Sequence, residues 1–270
     1  MSDAPHVDAN VGRWFGIAAV YDQSRPTPPK ALIPILTQIA RITRPRCVVD
    51  LGSGTGLSTR LWADDADEVI GIEPNDEMRQ VAEASSVGLT NVRYQKGLSI
   101  ATGLPDASAE IVTASQSLHW MEPTGTFAEI ARLLRPGGVF AAIDGDFPPT
   151  VNWEAEIIDE AFKDRVRRLA IERAPNKNMR QWEKDGHLGR MQASGQFRYT
   201  KEIALSSMET GSAERMVNIA LSRSPHQVLI NAGMTDDEIG IPAFRAEMHR
   251  LLGEGTFPLY FTYRVRIGVK

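Results

Sequence analysis

Apolar positions along this chain follow two rhythms that take turns. CVVDLG (47–52), EVIGIEP (68–74), NVRYQKG (91–97), AEIVTAS (109–115) and VFAAID (139–144) are short runs, most of them rich in β-branched side chains and several closed by glycine or proline. They read as five strands. Between them, LSTRLWADDA, NDEMRQVAEAS and TGTFAEIARLLRPGG space their apolar residues three and four apart, the period of a helix. Asn75 is placed to cap the second of these, with acids in its first turn, and Pro-Gly-Gly stops the third. Strands separated by helices predict an α/β fold with a doubly wound, mostly parallel sheet.

The segment before the first strand, Trp14 to Ile42, reads as helical on both sides of the RPTPP break, which no helix crosses. After Gly145 the rhythm changes again. DFPPTVN is a breaker-rich connection, and Trp153 to Ala174 is a long, charged, amphipathic helix pattern that fits an inserted cap better than another sheet unit. Beyond it, Phe197 to Ser207 alternates as a strand, helices are predicted near Glu214–Leu221 and Asp237–Leu252, and FPLYFTYRVRIGVK closes the chain as a long strand. The predicted organisation is an N-terminal flap and helix (1–45), a ligand-binding core (46–145), a helical cap insertion (146–195) and the rest of the core with the last two strands (196–270). Seven strands result, with one near the C-terminus antiparallel.

Composition narrows the function. The 270 residues carry 30 Lys+Arg against 34 Asp+Glu, a formal charge of −4, with the basic residues scattered rather than striped. That distribution offers no grip on a phosphate backbone, so nucleic acid is not an expected partner. The single cysteine, Cys47, rules out an intramolecular disulfide framework and any Cys-rich metal site, and the five histidines are too dispersed to suggest a metal. No run approaches the roughly 20 apolar residues a bilayer span requires, and MSDAPHVDANVGR is polar and acidic, so no membrane is expected and a cytoplasmic location is.

The chemistry concentrates at VVDLGSGTG. Asp50 ends the first strand, and Gly52, Gly54 and Gly56 open the following helix, where ligands of open α/β sheets bind. Glu73 ends the second strand 21 residues after Gly52, where its carboxylate can accept both hydroxyls of a ribose. An adenosine cofactor is indicated. The dinucleotide pattern G-x-G-x-x-G is not met, because Leu57 stands at its last position and the glycine comes one residue early. Asp50 would repel a diphosphate but suits the ammonium of an amino acid, directly or through water.

These residues resemble the class I S-adenosylmethionine-dependent methyltransferases. VVDLGSGTG is similar to their first motif, Glu73-Pro74 to their ribose acid, GLPDASAEIVTASQSLHW and LLRPGG to their middle motifs, and LYFTYRVRIGVK to their last strand. YDQSRPTPP resembles the flap of small-molecule enzymes related to trans-aconitate methyltransferases. The resemblance implies a Rossmann-like sheet, S-adenosylmethionine as cofactor, and Asp50, Gly52, Ser53, Gly54, Glu73 and Pro74 as its contacts, with Tyr21 and Arg25 covering it. Many relatives carry an acidic residue near the adenine amine after the third strand. Here Leu98, Ser99 and Ile100 occupy that loop, so adenine is expected to meet the backbone and apolar surface of Ser99 and Ile100, with Met78 beneath.

Methyl transfer is an in-line displacement that needs positioning, exclusion of water and, for a protonated nucleophile, a base. SQSLHW, directly after the fourth strand, is where this family meets its substrate. Gln116 is expected at the cofactor, His119 as a candidate general base, and Trp120 and Trp182 at the acceptor. A bland reading of His119 is packing beside Trp120 or capping the next helix. The expected function is methylation of a small molecule on oxygen, either carboxylate or hydroxyl. Two alternatives are an NAD-dependent oxidoreductase, disfavoured by Leu57 and Asp50, and a protein that binds S-adenosylmethionine or S-adenosylhomocysteine without catalysis.

Overall fold

A computed structural model describes residues 5–12, 22, 24–173 and 179–270. Its seven strands are β1 (Cys47–Leu51), β2 (Glu68–Ile72), β3 (Val92–Gln95), β4 (Ala109–Ser115), β5 (Leu134–Gly145), β6 (Tyr199–Gly211) and β7 (Phe257–Val269), and they form one sheet in the order β3-β2-β1-β4-β5-β7-β6. β3, β2, β1, β4 and β5 pair in parallel in that order, and β7 is antiparallel to β5. The mostly parallel, doubly wound sheet with an antiparallel C-terminal strand is therefore as the alternation predicts. Because the chain order reverses between β1 and β4, a crevice opens at their carboxyl ends.

The chain forms two compact units. The sheet unit comprises Thr27–Gly145, Arg180–Leu205 and Tyr263–Lys270. Its helices are α2 (Leu32–Ala40), α3 (Leu57–Arg60), α4 (Asp76–Ser85), α5 (Pro123–Leu133) and α7 (His187–Ala193). All five residues of β1 are buried, as parallel strands covered on both faces must be. The core beside them includes Leu51, Ile72, Phe127, Phe140 and Phe197, and Phe140 stacks on Phe197 with ring centroids 5.9 Å apart. Cys47 lies in this core, where burial pushes its thiol up to about 12 and leaves it unreactive. α4 begins at Asn75, whose side chain accepts the Met78 N–H as the sequence predicts.

The helical unit comprises Met1–Pro26, Asp146–Met179 and Ser206–Thr262, and so draws on more of the chain than 146–195. It contains α1 (Pro5–Gly12), α6 (Trp153–Arg173), α8 (Ala213–Leu221), α9 (Ser224–Asn231), α10 (Asp236–Ile239) and α11 (Ile241–Leu252). Phe162 on α6 stacks on Phe244 of α11 at 4.1 Å, and the fully buried Asp159 accepts from Arg223 at 2.6 Å. The ends of β6 and β7 belong to this unit.

Three elements differ from the pattern reading. The expected helix 237–252 is two helices, broken at Gly240, which takes a left-handed φ of 93°. α9 has no counterpart in the pattern reading; it starts with Ser-Pro, and Pro is well tolerated in a helix's first turn. The Pro-Gly-Gly after α5 does not precede β5 but lies inside it, at an irregularity in the pairing with β4.

Candidate active site

The crevice at the carboxyl ends of β1 and β2 is built by the glycine loop. Gly52 N–H donates to Ile72 O at 2.8 Å and Ser53 N–H to the same oxygen at 3.1 Å, tying the loop to β2. Gly52 has φ 63°, and a Cβ there would meet Ser117 Cβ at 2.7 Å and Met121 Cε at 2.8 Å, so both conformation and space demand glycine. Gly54 has φ 56° but nothing within 4 Å of its Cβ position. Its open face is where a ligand can lie against bare backbone.

Glu73 locks this arrangement from β2's end. Its Oε2 accepts the Gly54 N–H at 2.9 Å and its Oε1 the Asn75 N–H at 2.8 Å, leaving a further lone pair on each oxygen for ligand hydroxyls. The carboxylate is 7% exposed, and burial raises it to about 7 despite those two hydrogen bonds. Asp50 is differently engaged. Thr113 Oγ1 donates to one of its oxygens and Thr59 Oγ1 to the other, both at 2.8 Å, and burial raises it to about 6. It braces β1 against β4 and α3 at 1% exposure, a structural tie beneath the loop.

The remaining cofactor candidates divide. Ser53 is buried with its side chain against Gly71, turned into the sheet rather than out of the loop. Pro74 is half-buried beside Glu73, and Met78 is buried at the start of α4. Ile100 is 43% exposed, and Ser99 Oγ lies 2.8 Å from Thr126 Oγ1, so that loop presents apolar surface and backbone. Arg25 lies in the helical unit, where its guanidinium donates to Ser222 O at 3.3 Å and sits 4.9 Å from the centroid of Phe147. Tyr21 lies outside the described residues.

At the carboxyl ends of β4 and β5 a second cluster forms. Gln116 takes φ 52°, an uncommon conformation for a residue with a side chain, and its Oε1 accepts Lys184 Nζ at 2.7 Å. His119 sits in the turn Leu118–Trp120, its ring 4.8 Å from that of Trp120, and its carbonyl accepts the Trp182 N–H at 2.9 Å. Packing beside Trp120 is thus observed, whereas helix capping is done by Glu122, which accepts from Thr124 and Gly125. Asp144 is central: its Oδ1 lies 3.4 Å from Lys184 Nζ and 3.7 Å from His119 Nδ1, and its Oδ2 lies 2.9 Å from an Arg266 nitrogen and 3.8 Å from His187 Nε2. Burial raises the Asp144 carboxyl, while Lys184 and Arg266 oppose that rise.

His119, Asp144 and His187 are buried with ligand-type atoms within 4.8 Å of one another, as metal donors would be. The charges argue against a cation. Both carboxylate oxygens already face Lys184 or Arg266, and His187 Nδ1 accepts from Arg190 at 2.8 Å, which places the proton on Nε2. Burial and the neighbouring cations push His187 down to about 3, so it stays neutral. Asp144 and Lys184 were not among the residues expected from sequence. Asp144, an acid ending the buried run VFAAID, carries a readable signal; Lys184 has none, because only the fold brings it to Gln116.

Residues 49–142 match the family "Methyltransferase domain". The chain is 32% identical over 145 residues to an uncharacterized methyltransferase of Mycobacterium tuberculosis, covering 53% of this chain and 56% of that protein. It is 30% identical over 149 residues to a trans-aconitate 2-methyltransferase of Acidovorax, covering 52% and 56%. The chain thus spans about half the length of the curated relatives it matches. In fold it is similar to a protein of Anaeromyxobacter dehalogenans described as a type II methyltransferase, with TM-score 0.63, 22% identity, and 91% and 97% of the two chains covered. A Bacillus subtilis structure, YcgJ, aligns with TM-score 0.54 and 19% identity over 90% of this chain and 99% of that one. The domain match over residues 49–142 spans the glycine loop and Glu73, and with the strand order it supports a class I S-adenosylmethionine-dependent methyltransferase.

Proposed function

We propose that this protein transfers the methyl group of S-adenosylmethionine to an oxygen of a small-molecule acceptor. The observation that carries the reading is Glu73, a buried carboxylate that fixes Gly54 and retains acceptor capacity beside the open face of the loop. Glu73 would take the ribose hydroxyls, the backbone of Gly52 to Gly54 would line the amino-acid end, and Ser99, Ile100 and Met78 would border the adenine. When bound, the cofactor supplies an electrophilic methyl on a positively charged sulfur. The chain's own contribution is to hold the acceptor near Gln116, His119, Trp120 and Trp182, and to keep water out.

Oxygen is favoured over other nucleophiles because the YDQSRPTPP flap resembles that of enzymes acting on small organic acids, and a trans-aconitate methyltransferase is among the relatives. The scattered charge favours a small acceptor over nucleic acid, and a cytoplasmic location fits one cysteine and the absence, among the described residues, of a helix long and apolar enough to cross a membrane. The test is incubation with methyl-labelled S-adenosylmethionine and a panel of organic acids, phenols, amines and thiols. Label transferred to an oxygen compound is the expected result. Label that stays on the cofactor across the panel would favour a binding-only protein, and transfer to amines or thiols alone would overturn the oxygen assignment.

A further inference from the structure

The edge of the sheet opposite the glycine loop carries a cavity that methyl transfer does not use. Arg135 to Gly137 lie at the amino-terminal end of β5, Val269 ends the antiparallel β7 beside them, and α2 stops there at Arg41. Together with Arg198 and Tyr199 at the start of β6, these residues line a cavity of about 620 Å³ that lies wholly within the sheet unit. Small-molecule sites usually enclose roughly 300 to 1,000 Å³.

Charge sets the character of this cavity. Three arginines share the lining with no carboxylate among the described residues that form it. Arg135 is the one with a partner: its Nε lies 3.4 Å from Glu110 Oε1, an oxygen that also accepts from Arg46 at 3.1 Å. Arg41 and Arg198 are exposed and have no carboxylate partner among the described residues. Lys270 beside them donates its Nζ to Leu134 O at 2.7 Å, and its main-chain oxygen accepts the Gly137 N–H at 3.1 Å. A cation at a helix's C-terminal end complements the helix dipole, which accounts for Arg41. It does not account for Arg198, whose N–H is fixed on Val269 O at 2.9 Å and whose guanidinium lies 3.6 Å from the Cβ position of Gly137. The rest of the wall is apolar, from Ile39, Ala40, Pro136 and Val269, and Tyr199, 50% exposed, adds an aromatic ring.

We propose that this cavity binds a small organic anion with two or more negative charges on an apolar or aromatic body, the chemistry shared by phosphate monoesters and dicarboxylates. A singly charged anion gains little from one exposed arginine, because water and salt screen the pair. Several charged oxygens meeting several guanidinium forks bind in bidentate fashion, and the planar forks select for that geometry. The apolar wall covers the body of the ligand, which a bare inorganic ion would leave unfilled. A compact ligand suits three arginines gathered on one concavity, whereas a nucleic acid needs a basic stripe running along the surface. The site is separate from the cofactor crevice, because β5 runs parallel to β4 and β4 to β1, so Arg135 lies at the end of the sheet away from Gly52 and Glu73. It stands whether or not the methyltransferase reading does.

The test is calorimetric titration of the full chain with phenyl phosphate and with phthalate, each a dianion on a ring near pH 8, and with benzoate as the singly charged control, in about 0.15 M salt. At least one dianion is expected to bind about tenfold or more tightly than benzoate. The double substitution Arg41→Gln and Arg198→Gln should weaken that binding by about tenfold or more. Both side chains are exposed and without carboxylate partners among the described residues, so the variant should keep its cooperative thermal unfolding and its affinity for S-adenosylmethionine. Binding of phenyl phosphate alone supports the proposal and identifies a phosphate ester; binding of phthalate alone supports it and identifies a dicarboxylate. Dianions that bind no better than benzoate overturn it. Dianion binding that survives the double substitution overturns it too, because the ligand then sits elsewhere, as an organic acid in the methyl-acceptor crevice would. Loss of S-adenosylmethionine binding by the wild type would count against the methyltransferase reading alone.

Discussion

The two ends of the crevice are built by opposite strategies. At the β1–β2 end, the essential groups are close in sequence: Gly52 to Gly56 form one turn, and Glu73 reaches back to Gly54 across two adjacent parallel strands. At the β4–β5 end, Asp144 gathers partners from a turn after β4, a segment beginning near Arg180 and the last strand. The first end uses backbone, held in a geometry that positive φ at Gly52, Gly54 and Gly56 dictates. The second uses long, charged side chains balanced against one another. The first arrangement is written locally and the second is assembled from distant segments, so the two ends are expected to respond differently to substitution.

The harshest way to disturb the first end is Gly52→Ala. The new Cβ would collide with Ser117 and Met121 in a left-handed conformation, at a cost of about 2 to 4 kcal/mol in stability, read by thermal or denaturant unfolding. Gly54→Ala shares the conformation but not the collision and should cost about 1 to 2 kcal/mol. Equal losses for the two would mean that crowding by Ser117 is unimportant. Next comes Glu73→Ala, which removes a charged acceptor from the ribose position and should weaken S-adenosylmethionine binding by about 1.5 to 3 kcal/mol in a calorimetric titration. Unchanged affinity would remove Glu73 from the site.

A pH series on the wild type sharpens the same point. Glu73 sits at about 7 in the folded chain against 4.5 when exposed, so the folded state holds its proton more tightly and this group's contribution to stability falls as pH rises from about 4.5 to about 7. The ionised form is the better acceptor for two hydroxyls. Cofactor affinity should therefore climb between pH 6 and 8, by up to about tenfold, the change in ionised fraction for a group titrating near 7. A flat profile would indicate that ribose is held elsewhere. The smallest effect is expected at Asp50→Asn, because the hydroxyls of Thr59 and Thr113 can turn to accept as well as donate. A change in cofactor affinity above about threefold would restore an electrostatic role for Asp50 toward the ligand.

The contrast also explains what the sequence discloses. Strand runs such as CVVDLG and AEIVTAS are legible because burial on both faces demands continuous apolar residues, and Asn75 is legible because a helix start needs an acceptor. Gly52, Gly54 and Glu73 share that legibility through spacing alone. The engagement of Asp50 by two threonines is not visible, since Thr113 lies 63 residues away on β4 and nothing local marks it. Lys184 is hidden for the same reason, 68 residues from Gln116. Met191, whose helical spacing points to the core, is fully buried there. Local geometry is encoded by neighbours in the chain, and charge networks by the topology that brings strands together.

The central claim is that the turn at Gly52 to Gly56 and Glu73 form a site for S-adenosylmethionine and not for a dinucleotide. Calorimetric titration of the protein with S-adenosylmethionine, S-adenosylhomocysteine and NAD tests this directly. Micromolar binding of the first two with no heat from NAD is the predicted result; binding of NAD alone would contradict the account, whose glycine loop departs from the dinucleotide pattern at Leu57.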